Sequence, residues 1–506
     1  MRLLSALALT TALAAPLPVW AAGNLTVSID QNLTGLDPND LNDNASLSAA
    51  RLMLQGLYGF DKDMKIVPVL AESYDASEDA KEFTVRLRHG VVFQDGDAFN
   101  AAAVKANIER LVNPANHLKR ASLLSMLDHV EVVDDYTVKF LLKTPFGAFI
   151  PTLAHPAIAM HSPKSIAEHG ADLTRTPVGT GPFEFVSWTP DTLKVKRFDH
   201  YWKPGLPKVD SLTFRGVPEN GARIASLQAG ESQFIYPVPT EMVQVVSRDP
   251  RFHMVNEPSI FARYASMNVM KKPFDDVRVR QALNYAVDKA AFIRVVFNGL
   301  ADPLKSAIPT KLTFYKEQGE YPYDPAKAKQ LLAEAGYPNG FETTLWAGNA
   351  TTTIRSMQFL QQQLGAVGVK VNVQPLEAGL MTQRIFGVQN PKDAEIQMYT
   401  GAWSASTGDA DWGLRPLFST QGFPPTLYNT AYYSSPQTDK DIQDGLGTAD
   451  PAKRGAAYAD AQATIWKDAP WIFLCVENIL AAQTAKLTGV YRLADGTMLA
   501  EEADLH

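Results

Sequence analysis

The sequence predicts a mixed α/β protein folded as two lobes. Three observations carry that expectation. Strand-like alternation is interleaved with capped helices along the whole chain, and no internal repeat or low-complexity tract interrupts it. The 506 residues, 46% of them hydrophobic, exceed what a single core ordinarily holds. Lobed α/β folds take ligands in the crevice between their halves.

The chain opens with Arg2 and an apolar run, Leu3 to Ala15, which Pro16 and Pro18 break ahead of the small residues Val19 and Ala21. This is the pattern of a cleavable secretory signal peptide over residues 1–21. It is too short to span a bilayer, which takes about 20 apolar residues. Cys475 is the only cysteine, so an exported chain has no internal disulfide and depends on packing, and no cysteine stands at the cleavage point to carry a lipid. Within "WIFLCVE" that thiol reads as a small buried hydrophobe. Lys and Arg number 47 against 54 Asp and Glu, a net charge of −7 that becomes −8 when Arg2 leaves with the signal peptide. Both signs are dispersed, which argues against nucleic acid and anionic membrane surfaces as partners.

The elements follow from local signals. "LTVSID" (Leu25–Asp30) alternates as a first strand. "FTVRLRHGVVF" (Phe83–Phe93) reads as a hairpin about His89-Gly90, and Asn100 caps a helix over Ala101–Leu111. "VEVVDDYTVKFLL" is a second alternating pair about Asp134-Asp135, while "PVGTGPFEFVSW" is a turn feeding a strand that "TLKVKRF" rejoins. Asp324 with Pro325, and Asp450 with Pro451, start two further helices, the first with an apolar stripe of Ala328, Leu331, Leu332 and Ala335 and ending on Gly336.

Catalytic signatures are missing. There is no G-x-S-x-G elbow and no H-E-x-x-H, and the nine histidines are scattered singly. Gly179-Thr180-Gly181 lacks the Gly-Lys-Ser/Thr of a phosphate loop and reads as a turn needing permissive backbone angles. The acidic clusters Asp37–Asp43 and Gly408–Asp411 do not match a calcium loop, so no metal and no cofactor are expected. What remains is "GAWSASTGDADWGLRPLF" (Gly401–Phe418), a Gly-dotted loop after the apolar run Glu395–Tyr399. Trp403 and Trp412 offer stiff apolar faces, and the hydroxyls of Ser404, Ser406 and Thr407 both donate and accept. Asp409 and Asp411 suit an ammonium group, although one of them, Asp411 before Asp409, is expected to cap the helix that carries Leu414 and Leu417. Gly401 and Gly408 let backbone come close to a ligand. The pattern favours binding over catalysis, with Trp403–Thr407 facing the ligand.

Ordered segments along the chain then resemble a known family. "LAESYDASEDAKEFTVRLRHGVVFQDGDAFNAAAVKANIER", "PVGTGPFEF", "YWKPGLPKVDSLTFR", "LQAGE", "VRQALNYAVDK" and "YDPAKAKQLLAEAGYPNGF" resemble the periplasmic solute-binding proteins of peptide-class (family 5) ABC importers. "GAWSASTGDADW", "PLFSTQGFPPTLYNTAYYS" and "EEADLH" are most similar to the glutathione-binding members. The resemblance implies a two-lobed periplasmic binding protein, type II and cluster C-like, with an extra subdomain on the first lobe. Its first lobe would comprise residues 22–57, 179–266 and 490–506, the extra subdomain 58–178 and the second lobe 267–489. By the same analogy, hinges fall near Tyr264–Asn268 and Lys486–Gly489. A monomer would close on a short peptide in the periplasm and deliver it intact to membrane permease subunits driven by a cytoplasmic ATPase.

In dipeptide-binding relatives an aspartate in the Trp loop holds the ligand ammonium, and the matching slot here is Ser406. That departure suits γ-glutamyl ligands, whose leading carbon carries an amine and a carboxylate. Glutathione's net negative charge calls for cations, with Arg120 in "NHLKR" and Arg263 in "SIFARYASMN" as first candidates and Arg51 as a third. The expected substrate set is therefore Arg120, Arg263, Trp403, Ser404, Ser406, Thr407 and Asp409. Alternatives are a general dipeptide or oligopeptide binder, a haem or nickel–chelate binder, or, in another class, a periplasmic γ-glutamyl peptide hydrolase.

Overall fold

The computed structural model describes residues 23–506, so the signal peptide expected over residues 1–21 lies outside the described residues. Local signals place most elements. Asn24–Ile29 forms the first strand, with Leu25 and Val27 fully buried. Asn100 caps the helix Ala101–Val112 by accepting from Ala103 N at 3.0 Å, and its Val104, Ile108 and Leu111 face the core. Asp324 and Asp450 cap Pro325–Glu334 and Pro451–Asp468 in the same manner. Asp43 caps a short helix, Asn44–Ala50.

One eleven-stranded sheet runs through both lobes. From one edge its order is Phe183–Thr189, Thr192–Arg197, Ser211–Gly216, Asn24–Ile29 and Phe234–Tyr236, then the long strands Trp471–Thr484 and Phe252–Met267. Met398–Ser404, Phe341–Gly348 and Val369–Leu376 complete it in the second lobe, and Ala301–Pro303 adds to the Trp471–Thr484 strand. A separate four-stranded antiparallel sheet, ordered Ala71–Ala76, Glu82–Leu87, Thr137–Leu142 and Leu127–Asp134, builds the extra subdomain with the Ala101–Val112 helix.

Two long strands cross between lobes. Residues 252–258 pair with 478–484, and residues 262–266 pair with 471–476. The register shifts between Pro258 and Ala262. Pro258 has no N–H to donate, so the ladder is weakest there. The register shifts again between Arg263 and Tyr264, at the edge of the hinge expected at Tyr264–Asn268. Tyr264 is paired on both sides, buried, and stacked on Trp471 at 3.6 Å, a rigid arrangement. Gly489 likewise packs on the C-terminal segment, where an added Cβ would lie 2.0 Å from Glu502 O.

Three further expectations change. Val91–Phe93 does not return as a hairpin arm on Phe83–Leu87; that strand pairs with Ala71–Ala76 and Thr137–Leu142, and Val92 makes only an isolated bridge to Ala98. Both edges of the strand are taken by longer partners. The first part of the Trp403 loop is strand, because Gly401–Ser404 pairs with Phe261–Tyr264. Gly179 and Gly181 are required by close approach rather than by backbone angle, since neither has positive φ and an added Cβ at Gly181 would meet Met53 C at 2.6 Å.

Gly181→Ala forces backbone against backbone and is expected to destabilise the first lobe by about 1–3 kcal/mol, read as a lower urea midpoint with an unchanged m value.

Candidate ligand site at the lobe seam

The Trp403 loop meets the first lobe at His155. The ring follows the buried helical turn Phe149–Leu153, and the residue is 3% exposed. Its Nδ1 accepts from the Ala157 backbone N–H at 3.0 Å, and its Nε2 lies 3.1 Å from Ser406 Oγ. Since Nδ1 faces a donor, the neutral ring carries its proton on Nε2 and donates it to Ser406. Burial pulls His155 down to about 3, and the positive charges of Arg120 and Arg51 act in the same direction.

Those two arginines flank the imidazole. Arg120 Nε donates to Leu41 O at 2.5 Å, and Arg51 Nη1 donates to Thr497 Oγ1 at 2.8 Å. Neither guanidinium makes an ion pair among the described residues. Burial lowers both from the ordinary arginine value, yet a guanidinium stays protonated throughout the physiological range. Arg51 and His155 also line a cavity of about 380 Å³ on the first-lobe side, with Tyr58, Phe60, Met498 and Glu501 among its walls.

The second lobe supplies hydroxyls and aromatic faces. Ser404 Oγ and Thr407 Oγ1 are buried without hydrogen-bond partners, and Tyr58 Oη is in the same condition across the seam. Unpaired buried hydroxyls are unfavourable unless something else completes them. Trp403 spends its indole N–H on Trp412 O at 2.7 Å and presents its ring, 4.9 Å between centroids, to the exposed Tyr428. The Tyr428 phenol is in turn within electrostatic range of Arg120. Two packing contacts hold the lobes here. Gly408, at φ +68°, leaves room for Phe60, whose ring an added Cβ would approach to 2.8 Å, and Gly147 N donates to Leu446 O at 2.8 Å.

The expected residues therefore divide. Arg120, Ser406 and Trp403 come together at the seam, with Ser404 and Thr407 unpartnered in the same loop. Arg263 is elsewhere: it pairs with Glu477 between the two crossing strands, its guanidinium 5.8 Å from the Phe297 ring centroid. Asp409 is wholly buried and held by both terminal nitrogens of Arg454, at 2.8 and 3.0 Å. Burial works against the Arg454 charge, and the Asp409 carboxylate more than restores it. Asp409 also caps Ala410–Phe418, accepting from Asp411 N at 2.9 Å. The cap expected of Asp411 thus falls to Asp409, and Asp411 pairs with Arg415 one turn on. Gly401 serves its own strand, because a Cβ there would strike the Tyr399 hydroxyl at 2.5 Å. The acidic cluster near the N-terminus is also engaged internally, Asp37 pairing with Arg110 at 2.5 Å and with His161 at 3.2 Å.

His155 and Tyr428 are the site residues that sequence reading missed. A lone histidine in "LAHPAIAM" gives no local signal, since the side chains around it, Arg120, Arg51 and Ser406, are 35 to 251 residues away.

The fold and the seam define a class: a two-lobed binding protein whose polar and cationic groups converge between the lobes. The chain belongs to the bacterial extracellular solute-binding proteins, family 5, whose middle-region pattern it matches over residues 65–425. It is similar to the glutathione-binding protein GsiB of Pectobacterium atrosepticum, at 50% identity over 506 residues that cover 100% of this chain and 98% of that protein. Among solved structures it is similar to HbpA2 from Haemophilus parasuis, with TM-score 0.85, 26% identity and coverage of 96% and 100%. It is also similar to the periplasmic binding protein DppA of Helicobacter pylori in complex with the peptide STSA, with TM-score 0.78, 27% identity and coverage of 96% and 98%.

Two outcomes follow from the geometry. Asp409→Asn leaves Arg454 buried and unpaired and is expected to lower unfolding free energy by about 3–5 kcal/mol, whereas Asp409→Asn combined with Arg454→Met loses less. His155 gives stability a pH dependence. Its unfolded imidazole, near 6.5, binds a proton that the folded ring refuses down to about 3, so its contribution is complete above pH 6.5 and lost as pH falls toward 3. The slope in that window is at most about 1.4 kcal/mol per pH unit, and denaturation of His155→Gln is expected to show a shallower one.

Proposed function

We propose that this protein is the periplasmic solute-binding component of a peptide-class ABC importer, and that its ligand is glutathione. It closes on the tripeptide between its lobes and passes it intact to membrane permease subunits powered by a cytoplasmic ATPase. Export by the signal peptide over residues 1–21, cleaved after Ala21, belongs to this reading, as do a monomeric state and the lobe boundaries given above.

The observation that carries it is the pair of half-buried guanidiniums, Arg51 and Arg120, beside a neutral imidazole and in no direct ion pair among the described residues. A ligand bearing two carboxylates and one ammonium supplies the missing negative charge. The unpartnered hydroxyls of Ser404 and Thr407 offer polar contacts for the rest, and Trp403 with Tyr428 an aromatic wall. The name borne by a relative 50% identical along the whole chain supports the same ligand. Arg263 and Asp409 leave the proposed contact set, since Glu477 and Arg454 already occupy them.

The energetics are undemanding. A micromolar Kd corresponds to roughly 8 kcal/mol, or about 0.4 kcal/mol for each of the ligand's about 20 non-hydrogen atoms, within the usual range. Isothermal titration of ligand-free protein with reduced glutathione is expected to give heat with a one-to-one stoichiometry. Arg120→Ala removes a charge-assisted contact worth about 1.5–3 kcal/mol, raising Kd about 10- to 150-fold. Arg263→Ala is expected to stay near the parent value. Heat with dipeptides and none with glutathione rejects the ligand assignment.

A further inference from the structure

Ser406 stands at the lobe seam, and a free hydroxyl there would be ambivalent, able to donate or accept. This one is not free. The Ala157 N–H occupies His155 Nδ1, which leaves the ring proton on Nε2, aimed at Ser406 Oγ across 3.1 Å. The hydroxyl oxygen accepts that proton, and Ser406 makes no other hydrogen bond among the described residues. Its own O–H then remains to be given away, and it can be completed only by an acceptor. The surroundings agree: Arg51 and Arg120 flank the imidazole, and the nearby acids of the same loop, Asp409 and Asp411, are held by Arg454 and Arg415.

We infer that His155 is a positioning residue that holds Ser406 with its O–H free to donate, so that the slot favours a ligand carboxylate over an ammonium. This deepens the assignment of glutathione and rests on it. The preference for a γ-glutamyl end over an ordinary dipeptide amine then comes from His155, 251 residues away, which takes one lone pair of Ser406 and leaves its O–H for the ligand. A carboxylate oxygen at the slot accepts from Ser406 with both guanidiniums beside it. An ammonium there would have only the remaining lone pair of Ser406 and would face two cations.

The polarity is tested first without any ligand, by nitrogen NMR of the ¹⁵N-histidine-labelled protein. His155 is expected as the neutral Nε2–H tautomer from pH 8 to pH 5. An Nδ1–H tautomer, or protonation above pH 5, overturns the inference whatever the protein binds. Selectivity is tested by calorimetry with glutathione and with Ala-Ala. His155→Met, which cannot donate, is expected to narrow the ratio of the two Kd values by about tenfold or more. His155→Gln, whose amide restores a donor, is expected to keep that ratio within about threefold of the parent. An unchanged ratio in His155→Met overturns the inference. Ser406→Ala provides a smaller change: it is expected to weaken glutathione alone, and equal weakening of both ligands overturns the inference. Parent protein that binds Ala-Ala but no glutathione rejects the functional assignment instead, while the tautomer measurement still decides the polarity of Ser406.

Discussion

Bringing two guanidiniums to one seam with no directly paired carboxylate is unfavourable, and only longer-range charges answer them here, Asp495 and Glu501 at Arg51 and Asp43 at Arg120. Other arginines sit in direct ion pairs, among them Arg110 with Asp37, Arg454 with Asp409 and Arg263 with Glu477, while the buried Arg223 and Arg280 are held by main-chain carbonyls. Arg51 and Arg120 have only a threonine hydroxyl and a main-chain carbonyl as side-chain partners. The imidazole between them answers by staying neutral. Closing the lobes over this charge without a ligand concentrates it in a medium of lower dielectric, where repulsion grows. A ligand that brings carboxylates reverses the sign of that contribution. Closure and anion capture are therefore one electrostatic event, and the hydroxyls and aromatic rings of the Trp403 loop set only where the rest of the ligand lies.

The seam is otherwise thinly fastened, as a reversible clamp requires. A side-chain hydrogen bond joins His155 to Ser406, a backbone hydrogen bond joins Gly147 to Leu446, and a ring edge fills the space beside Gly408. The permanent connection is the pair of strands Phe252–Met267 and Trp471–Thr484, which share one sheet but lose register at Pro258–Ala262. The ladder is interrupted a second time between Arg263 and Tyr264, so bending concentrates over residues 258–264. Arg263 and Glu477 bridge the two strands within that stretch and give the bend a fixed starting angle.

Elements governed by near neighbours could be read from sequence. Asn100, Asp324 and Asp450 cap as expected because a side chain needs only the N–H groups two or three residues on. The strand at Phe83 was equally visible, but its partners were not, since a chemically plausible turn at His89-Gly90 lost to longer strands from both sides. The site shows the same division. Trp403 and its hydroxyls were legible from residue type alone. His155 was not, and neither was the fate of Asp409, because its arginine comes 45 residues later. Arg120 and Arg263 looked equivalent as cations in sequence; a single glutamate on a neighbouring strand separates them.

Cys475 acquires a meaning from this setting. The thiol is fully enclosed beside Arg263 on the crossing strand, and burial, followed by the charge of Glu477, drives its ionisation well above the usual thiol range. Thiol–disulfide exchange begins from an exposed thiolate. A carrier of sulfhydryl-bearing cargo in an oxidising space would risk becoming covalently tethered to what it transports. With its lone thiol inert on the crossing strand and no other cysteine in the chain, this carrier holds its cargo by reversible contacts alone.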